Sequence, residues 1–591
     1  LVKPTGGVGG MNIATNTSRT LFLRSGPFRF GPLWLALPAI AFLCIFFLVP
    51  VFRLLALSVQ DADGSLTTLH YAKLVDREVY WRILSITFRI AALTALFSLL
   101  LGYPLAYWLS GLKESRRNQM LLLVLVPFWT SYLVKTFSWM LLLGNDGILN
   151  RLLSGAGLIS GPLPLMYNEF GVIVGMVHAM MPLAVLTMMP VMAGIDRRLG
   201  QAAGTLGAGN SHRFWMVYFP LSIPGMAAGG LLTFITSLGF FIVPAFLGGR
   251  QQTMLAQLII VQVQELVNWA FAGVLATMLL VTAMLACWIY NHLFGLSSLS
   301  SGAGTRDASS DGILRRWGLV FLEKLASVTA IFSDHLPSRL RVLPAYVTAV
   351  LVFLIAPTLL VIPIAFTSSN FLEFPPPGYS LRWFETYFNS PIWTSATIRS
   401  FGVAFVTAIL ATLIGGFAAL AVARSRSRWS GLIFAFMLAP MIVPRIVIAV
   451  GLFYLFAQIG LVATNAGLVI GHTVLSIPFT FVAIAAVLKS YDWRLDQAAQ
   501  SLGAGRFQTL RLITVPLISG GIISAFLFAF VTSFDELTIA IFVSGGLKST
   551  LPKQMWDDMI LQLNPTLAAV SVVVLTIVTV ILLLADKLKR S

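Results

Sequence analysis

Asp535 and Glu536 lie side by side inside the apolar run 525–543, in the string Thr532-Ser-Phe-Asp-Glu-Leu-Thr538. A carboxylate in such a run is costly to bury, so it belongs to a bundle interior or a polar path. Adjacent helix positions point about 100° apart, so the two are not expected to share one narrow stripe. One can face a pathway while the other pairs with a base or caps a broken helix. Two cations occupy comparable settings: Lys135 within Pro127-Phe-Trp-Thr-Ser-Tyr-Leu-Val-Lys-Thr-Phe-Ser-Trp139, and Arg445 within Pro440-Met-Ile-Val-Pro-Arg-Ile446. The ordinary expectation for either is a side chain that snorkels to an interface. The alternatives are contact with a ligand, or with an acidic partner such as Asp535. Trp129, Tyr132, Trp139 and Tyr454 offer aromatic faces to a cation, against the commoner roles of helix packing and interface anchoring.

Other reactive residue types carry less. His178 and His472 are isolated, and no cluster has metal-ligand spacing, so no metal site is assigned. Cys44 and Cys287 both sit in apolar runs and read as small buried hydrophobes. No catalytic residue is assigned, and no Gly-rich phosphate loop ending in Gly-Lys-Ser or Gly-Lys-Thr is present. The candidate groups therefore point to selective passage rather than to bond making.

The elements that must position them are membrane spans. The 591 residues are 58% hydrophobic and 10% charged, with a mean hydropathy of +0.88. That excludes an ordinary soluble domain. Apolar runs of roughly 18 or more residues recur along the chain, each long enough for a hydrocarbon core of about 30 Å. Inside lipid the backbone must satisfy itself, so these runs are helices. Spans are expected near 33–58, 85–110, 120–143, 170–191, 221–247 and 269–293. A second set is expected near 345–367, 400–423, 430–458, 466–489, 515–544 and 566–585. The first run is too long for a cleaved signal peptide and is read as a retained helix.

The net charge of +17 raises a nucleic-acid reading. The basic residues flank the apolar runs instead, as orientation by cytoplasmic Lys and Arg requires. Arg24 and Arg29 precede the first run; Lys113, Arg116 and Arg117 follow the second; Arg424, Arg426 and Arg428 hold the equivalent place in the second half; Lys587, Lys589 and Arg590 close the chain. Six spans per half put all of these, and both chain ends, on the cytoplasmic side. Residues 1–32 read as a cytoplasmic leader, 33–293 and 345–591 as two six-helix modules, and 294–344 as a cytoplasmic linker. The linker starts Ser/Gly/Asp-rich, and a short interfacial helix is expected around Ile313 to Ile331.

A polar stretch between spans occurs twice. Asp196-Arg-Arg-Leu-Gly-Gln-Ala-Ala-Gly-Thr-Leu-Gly-Ala-Gly209 returns as Asp492-Trp-Arg-Leu-Asp-Gln-Ala-Ala-Gln-Ser-Leu-Gly-Ala-Gly505, at an offset of 296 residues. Pro220 and Pro516 match at that offset, as do Pro182 and Pro478. Gln-Ala-Ala is a helix start with small side chains, and the following Gly permits a turn or close backbone approach. An ordinary connecting loop would not need to be kept twice in register. The expectation is a short helix that docks into a groove on another protein.

The loop resembles the Glu-Ala-Ala loop of ATP-binding-cassette importer permeases: Glu-Ala-Ala, three residues, Gly, then a later Pro. That resemblance implies an all-α polytopic membrane protein made of duplicated importer-permease modules, with about twelve transmembrane helices. It implies that Gln201, Ala202, Ala203 and Gly207, with Gln497, Ala498, Ala499 and Gly503, form coupling helices seated in two ATPase subunits. Motion would pass through contacts such as Leu206, Leu502, Phe214 and Leu510. Both copies carry Gln where the family has Glu, which removes a charge and leaves any pairing to Asp196 and Asp492.

Within that family the second half is similar to spermidine/putrescine-type permeases through Trp383-Phe384, Ala439-Pro-Met-Ile-Val-Pro-Arg445 and Ser533-Phe-Asp-Glu536. The first half resembles the companion permease through Pro127-Phe-Trp-Thr130, Gly144-Asn-Asp-Gly-Ile-Leu-Asn150 and Val243-Pro-Ala-Phe-Leu-Gly-Gly249. Gly239 and Phe240 stand where the acidic pair falls in the second half.

The resemblance implies import into a bacterial cell across the inner membrane, with a periplasmic solute-binding protein delivering a small polar solute. ATP and Mg would be bound by the partner subunits, and the chain itself would hold no cofactor. Asp535, Glu536, Lys135, Arg445, Trp129 and Tyr132 are the candidates for the substrate path. Ferric iron or aminoethylphosphonate is the alternative cargo. An ion-coupled secondary transporter and a membrane receptor or scaffold are the alternative machines, and no nucleic-acid partner is expected.

Overall fold

The computed structural model describes residues 32–61, 63–294, 320, 322–330, 342–425, 427–546 and 548–590. The expected leader, the start of the chain's basic flank and most of the linker lie outside the described residues. Of the expected linker helix, 322–330 is described and is helical.

Among the described residues the regular structure is helical. The first half contributes α1 (Pro32–Leu57), α2 (Leu69–Asp76), α3 (Glu78–Gly111), α4 (Glu114–Trp129), α5 (Tyr132–Leu143), α6 (Ile148–Gly155) and α7 (Glu169–Ala193). It continues with α8 (Arg197–Thr205), α9 (Asn210–Leu238), α10 (Ile242–Leu247), α11 (Leu255–Gln264) and α12 (Trp269–Phe294). The second half repeats this as α13 (Val342–Ala365), α14 (Arg382–Asn389), α15 (Pro391–Arg424), α16 (Trp429–Ile442), α17 (Arg445–Ile459) and α18 (Asn465–Lys489). Then come α19 (Arg494–Ser501), α20 (Arg506–Leu517), α21 (Ser519–Phe534), α22 (Thr538–Val543), α23 (Leu551–Leu561) and α24 (Thr566–Arg590).

Among the described residues, 8 helices are long and apolar enough to cross a membrane, or up to 11 when three bent pairs are taken as single spans. The expected straight spans at 120–143 and 430–458 are two of those pairs. α4 and α5 meet at 87°, and α16 and α17 at 92°. The spans expected at 221–247 and 515–544 stop at Leu238 and Phe534 and resume as the short α10 and α22. Hydropathy registers that a run is apolar and is blind to its direction, so these breaks are invisible to it. Their chemistry is local. Val443 precedes Pro444 and is extended, as a residue before proline must be. At the matching position, the Ser131 hydroxyl accepts the amide of Leu133 at 3.3 Å and caps α5.

The repeat extends into packing. Asn168 and Thr464, 296 apart, cap α7 and α18 through the amides of Gly171 and Gly467, each at 3.0 Å. A Cβ on Gly225 would meet Val191 at 2.8 Å, and one on Gly521 would meet Val487 at 2.6 Å, the same contact in the other half. Without a hydrophobic driving force between helices in lipid, such small-residue contacts let the backbones approach and gain dispersion. Before the first break the offset between halves is 313 residues (Thr130 to Val443) and after it 296 (Asn168 to Thr464). The first half carries the extra residues between them, where α6 sits.

Each half lends its first helix to the other. α1 packs along α15 and α17 of the second half, so closely that a Cβ on Gly451 would stand 2.8 Å from the carbonyl oxygen of Pro50. α13 lies against α3, α4 and α5, fastened where the Tyr346 hydroxyl donates to the Leu101 carbonyl at 3.0 Å.

Candidate functional site

Four chain breaks converge between the halves, around a cavity of about 120 Å³. Tyr132 comes from the α4–α5 break, Gly239 and Phe240 from the α9–α10 break, Arg445 from the α16–α17 break, and Asp535 and Glu536 from the α21–α22 break. The pairing is crossed. Gly239 of the first half faces Pro444 of the second, where a Cβ would stand 3.1 Å away. Asp535 of the second half stands beside Ser131 and Tyr132 of the first.

The two adjacent acids divide as helix geometry requires. Glu536 is 2% exposed and accepts the amides of Thr538 at 2.9 Å and Ile539 at 2.8 Å, with that of Ala540 at 3.4 Å. Its carboxylate closes the free start of α22, where amide donors and the helix dipole favour negative charge. His472 stands beside it, with Nε2 3.6 Å from the carboxylate and Nδ1 2.7 Å from the Ser533 hydroxyl oxygen. Asp535 is half-buried on the cavity wall, with Lys135 and Arg445 acting on it electrostatically.

Lys135 does not snorkel. It is 1% exposed; its Nζ donates to the Pro127 carbonyl at 3.0 Å and lies 4.3 Å from the centre of the Tyr132 ring. The bend between α4 and α5 turns this residue inward, and a buried ammonium then needs a carbonyl and a π face. Tyr132 itself stands edge-on to Phe240 at 5.1 Å. Trp129 packs against Phe528 at 4.8 Å, joining the halves without lining the cavity. Trp139 packs against His178 at 5.5 Å, and Tyr454 against Trp269 at 5.3 Å. His178 donates from Nε2 to the Leu354 carbonyl at 3.0 Å. Among the described residues there is no group of three or more His, Cys, Asp or Glu able to hold a metal.

Gly239 and Pro444 also line the cavity, and Ser131 caps the helix that brings Tyr132 to it. Pro444 was signalled by the Pro440…Pro444 pair, and Gly239 by its alignment with Asp535. Nothing in the sequence singles out Ser131, whose part depends on the bend.

The two repeated loops form the short helices α8 and α19. Both end in the same hydrogen-bonded turn. Ala208 N–H reaches the Ala203 carbonyl at 3.0 Å and Gly207 N–H the Gly204 carbonyl at 3.1 Å; Ala504 reaches Ala499 and Gly503 reaches Gln500, each at 3.0 Å. This closure needs a left-handed residue, and Gly207 and Gly503 both have φ of 90°. Gln201, Ala202, Gln497 and Ala498 are exposed, Ala203 is half-buried and Ala499 is buried. Leu206 and Leu502 are 88% and 89% exposed, so neither makes the expected contact with the helices that follow. They project from the helix ends. Phe214 does pack inward, edge-on to Tyr107 at 5.2 Å, while the half-buried Leu510 packs against the hydrophobic core.

The loops are fastened by opposite chemistry. Arg197 donates to the carbonyls of Ser110 and Gly111, at 3.0 and 2.8 Å, at the end of α3. In the second half the buried Asp496 accepts from Arg424 at 2.6 Å, at the end of α15, and from Tyr491 at 2.6 Å. Asp196 caps α8 through Arg198 N–H at 2.9 Å. Asp492 accepts the Arg494 N–H in the same way at 3.0 Å and also pairs with the Arg494 guanidinium, which holds the carboxyl below its usual range.

Comparison with known proteins gives this geometry a context. The family described as binding-protein-dependent transport system inner membrane component matches twice, over residues 92–293 and 411–591. The spermidine/putrescine transport system permease protein PotB of Haemophilus influenzae is 32% identical over 259 residues, covering 42% of this chain and 89% of the relative. PotB of Escherichia coli is 29% identical over 257 residues, covering 42% and 93%. PotC of Haemophilus influenzae is 29% identical over 254 residues, covering 43% of this chain and 98% of its own. Each relative accounts for about one module of this chain. Such permeases are transport components that work with a binding protein and ATPase partners. The chain belongs to the binding-protein-dependent inner membrane component family, and with two modules in one polypeptide it is the permease of an ATP-binding-cassette importer.

Proposed function

We infer that this permease carries a small polycation such as putrescine or spermidine from a periplasmic binding protein into the cytoplasm. The observation that carries the reading is that both kinds of relative, PotB and PotC, are named as spermidine/putrescine permeases, at about one module each. The cavity is compatible with it: a half-buried carboxylate, an aromatic ring and a chain break from each half line one space. One ATPase subunit docks at each repeated loop, on α8 with Gln201, Ala202, Ala203 and Gly207, and on α19 with Gln497, Ala498, Ala499 and Gly503. ATP and Mg are bound by those partners, and this chain hydrolyses nothing. The modules span 33–293 and 345–591, in an inner membrane with both chain ends and the linker cytoplasmic.

Reconstitution with its binding protein and ATPase tests the reading. ATP-dependent uptake of labelled spermidine or putrescine is expected, with uptake lost when ATP or the ATPase is withheld. Strong uptake of ferric iron or aminoethylphosphonate without any of a polyamine overturns the cargo. Uptake by this chain alone, driven by an ion gradient, overturns the machine.

A further inference from the structure

Two charged groups near the cavity, Glu536 and Lys135, are held in place by hydrogen bonds. Glu536 is engaged by the amides that open α22. Lys135 is held by the Pro127 carbonyl and the Tyr132 ring. Arg445 differs. It lines the cavity, acts electrostatically on Asp535 and Glu536, and has no hydrogen bond from its guanidinium to a described residue. A guanidinium has five donors and stays charged; here it stands in a space shared with carboxylates. At the matching place in the first half, 313 residues earlier, stands Tyr132.

The charges balance. Taken as ionised, Asp535 and Glu536 are offset by Lys135 and Arg445, so the empty cavity presents no net attraction for a cation. An ammonium that enters is drawn by Asp535 and repelled by Arg445, which lines the same cavity, and at low dielectric that repulsion is strong. We propose that Arg445 is a built-in electrostatic competitor for alkylammonium cargo: sharing the cavity with Asp535, it offsets the carboxylate's attraction for a cation, and thereby sets the pathway's selectivity and keeps its affinity low. This rests on the polycation reading above. It adds a specificity-determining residue and a reason for it: a cation held tightly midway would not leave.

The test uses the purified complex of this chain with its ATPase subunits, without binding protein, and labelled spermidine as the probe. Wild type is expected to show weak binding. Arg445→Gln is expected to bind at least roughly tenfold more tightly, one unit charge having been removed from the cavity that the carboxylate lines. The Arg445→Gln/Asp535→Asn double variant is expected to return to the weak binding of wild type. Arg445→Lys, which keeps the charge, is expected to match wild type. With binding protein and ATP added, Arg445→Gln should import more slowly at saturation, since release slows as affinity rises. Arg445→Met replaces Arg445→Gln if the latter does not co-purify with the ATPase. Binding by the neutral variant no tighter than wild type, or tight binding that survives Asp535→Asn, overturns the inference alone. Absence of ATP-driven spermidine uptake by the wild-type complex overturns the cargo reading and this inference with it.

Discussion

Asp535 and Glu536 are adjacent in sequence and serve different ends. Glu536 closes α22 with charge-assisted bonds to backbone amides, so Glu536→Gln should lower stability by about 1–3 kcal/mol, read as a lower melting temperature in detergent. Asp535 faces the cavity, so Asp535→Asn should leave the melting temperature nearly unchanged and reduce uptake of a cationic cargo severalfold or more. Equal effects of the two substitutions on melting would refute this division. The sequence made both acids conspicuous and already allowed that one would cap a broken helix. It could not say which, because that depends on where the run breaks. The inward turn of Lys135 was hidden for the same reason: snorkelling assumes a straight helix, and a bend of 87° between α4 and α5 removes the assumption.

At the scale of elements, α8 and α19 were legible because capping chemistry is local. Asp196 at the start and Gly207 at the end are short-range signals, and their recurrence 296 residues later announced a shared job. The left-handed φ of Gly207 and Gly503 makes each intolerant of a side chain for backbone reasons, since a Cβ would meet nothing within 4 Å. Gly207→Val and Gly503→Val should each cost about 1–2 kcal/mol locally and fray the helix end. The expected readout is weaker co-purification of the ATPase, with the permease itself still folded. Leu206→Asp with Leu502→Asp tests the same surface from its side chains. If these exposed leucines enter partner grooves, ATPase binding should weaken by roughly tenfold or more, the cost of losing a buried leucine. Unchanged binding would mean that they do not. What remained unreadable was the reversal in fastening, carbonyls taking Arg197 in one half and Asp496 taking Arg424 in the other. Those partners are about 70 to 90 residues apart in sequence, and no periodicity connects them.

For the whole molecule, the exchange of first helices matters more than the linker that joins the halves. Because α1 belongs to the second half's surface and α13 to the first half's, a chain cut between 295 and 319 and expressed as two pieces should still assemble and co-purify. Removal of 1–58 should instead destabilise the second half, exposing the face of α15 and α17, and should be seen as proteolysis or aggregation of that half. The modules were legible as a repeat of apolar runs. Their interlocking was not, since hydropathy carries no information on which neighbour a span will choose.

The close seat of α1 on Gly451 also imposes a schedule. Pro50 and Gly451 are about 400 residues apart in the chain, and ribosomes add roughly 5–20 residues per second. The first helix therefore leaves the ribosome on the order of 20–80 s before the surface that receives it has been made. During that interval it resides in the bilayer with its docking face turned to lipid, a wait that a run as apolar as Pro32–Leu57 can sustain.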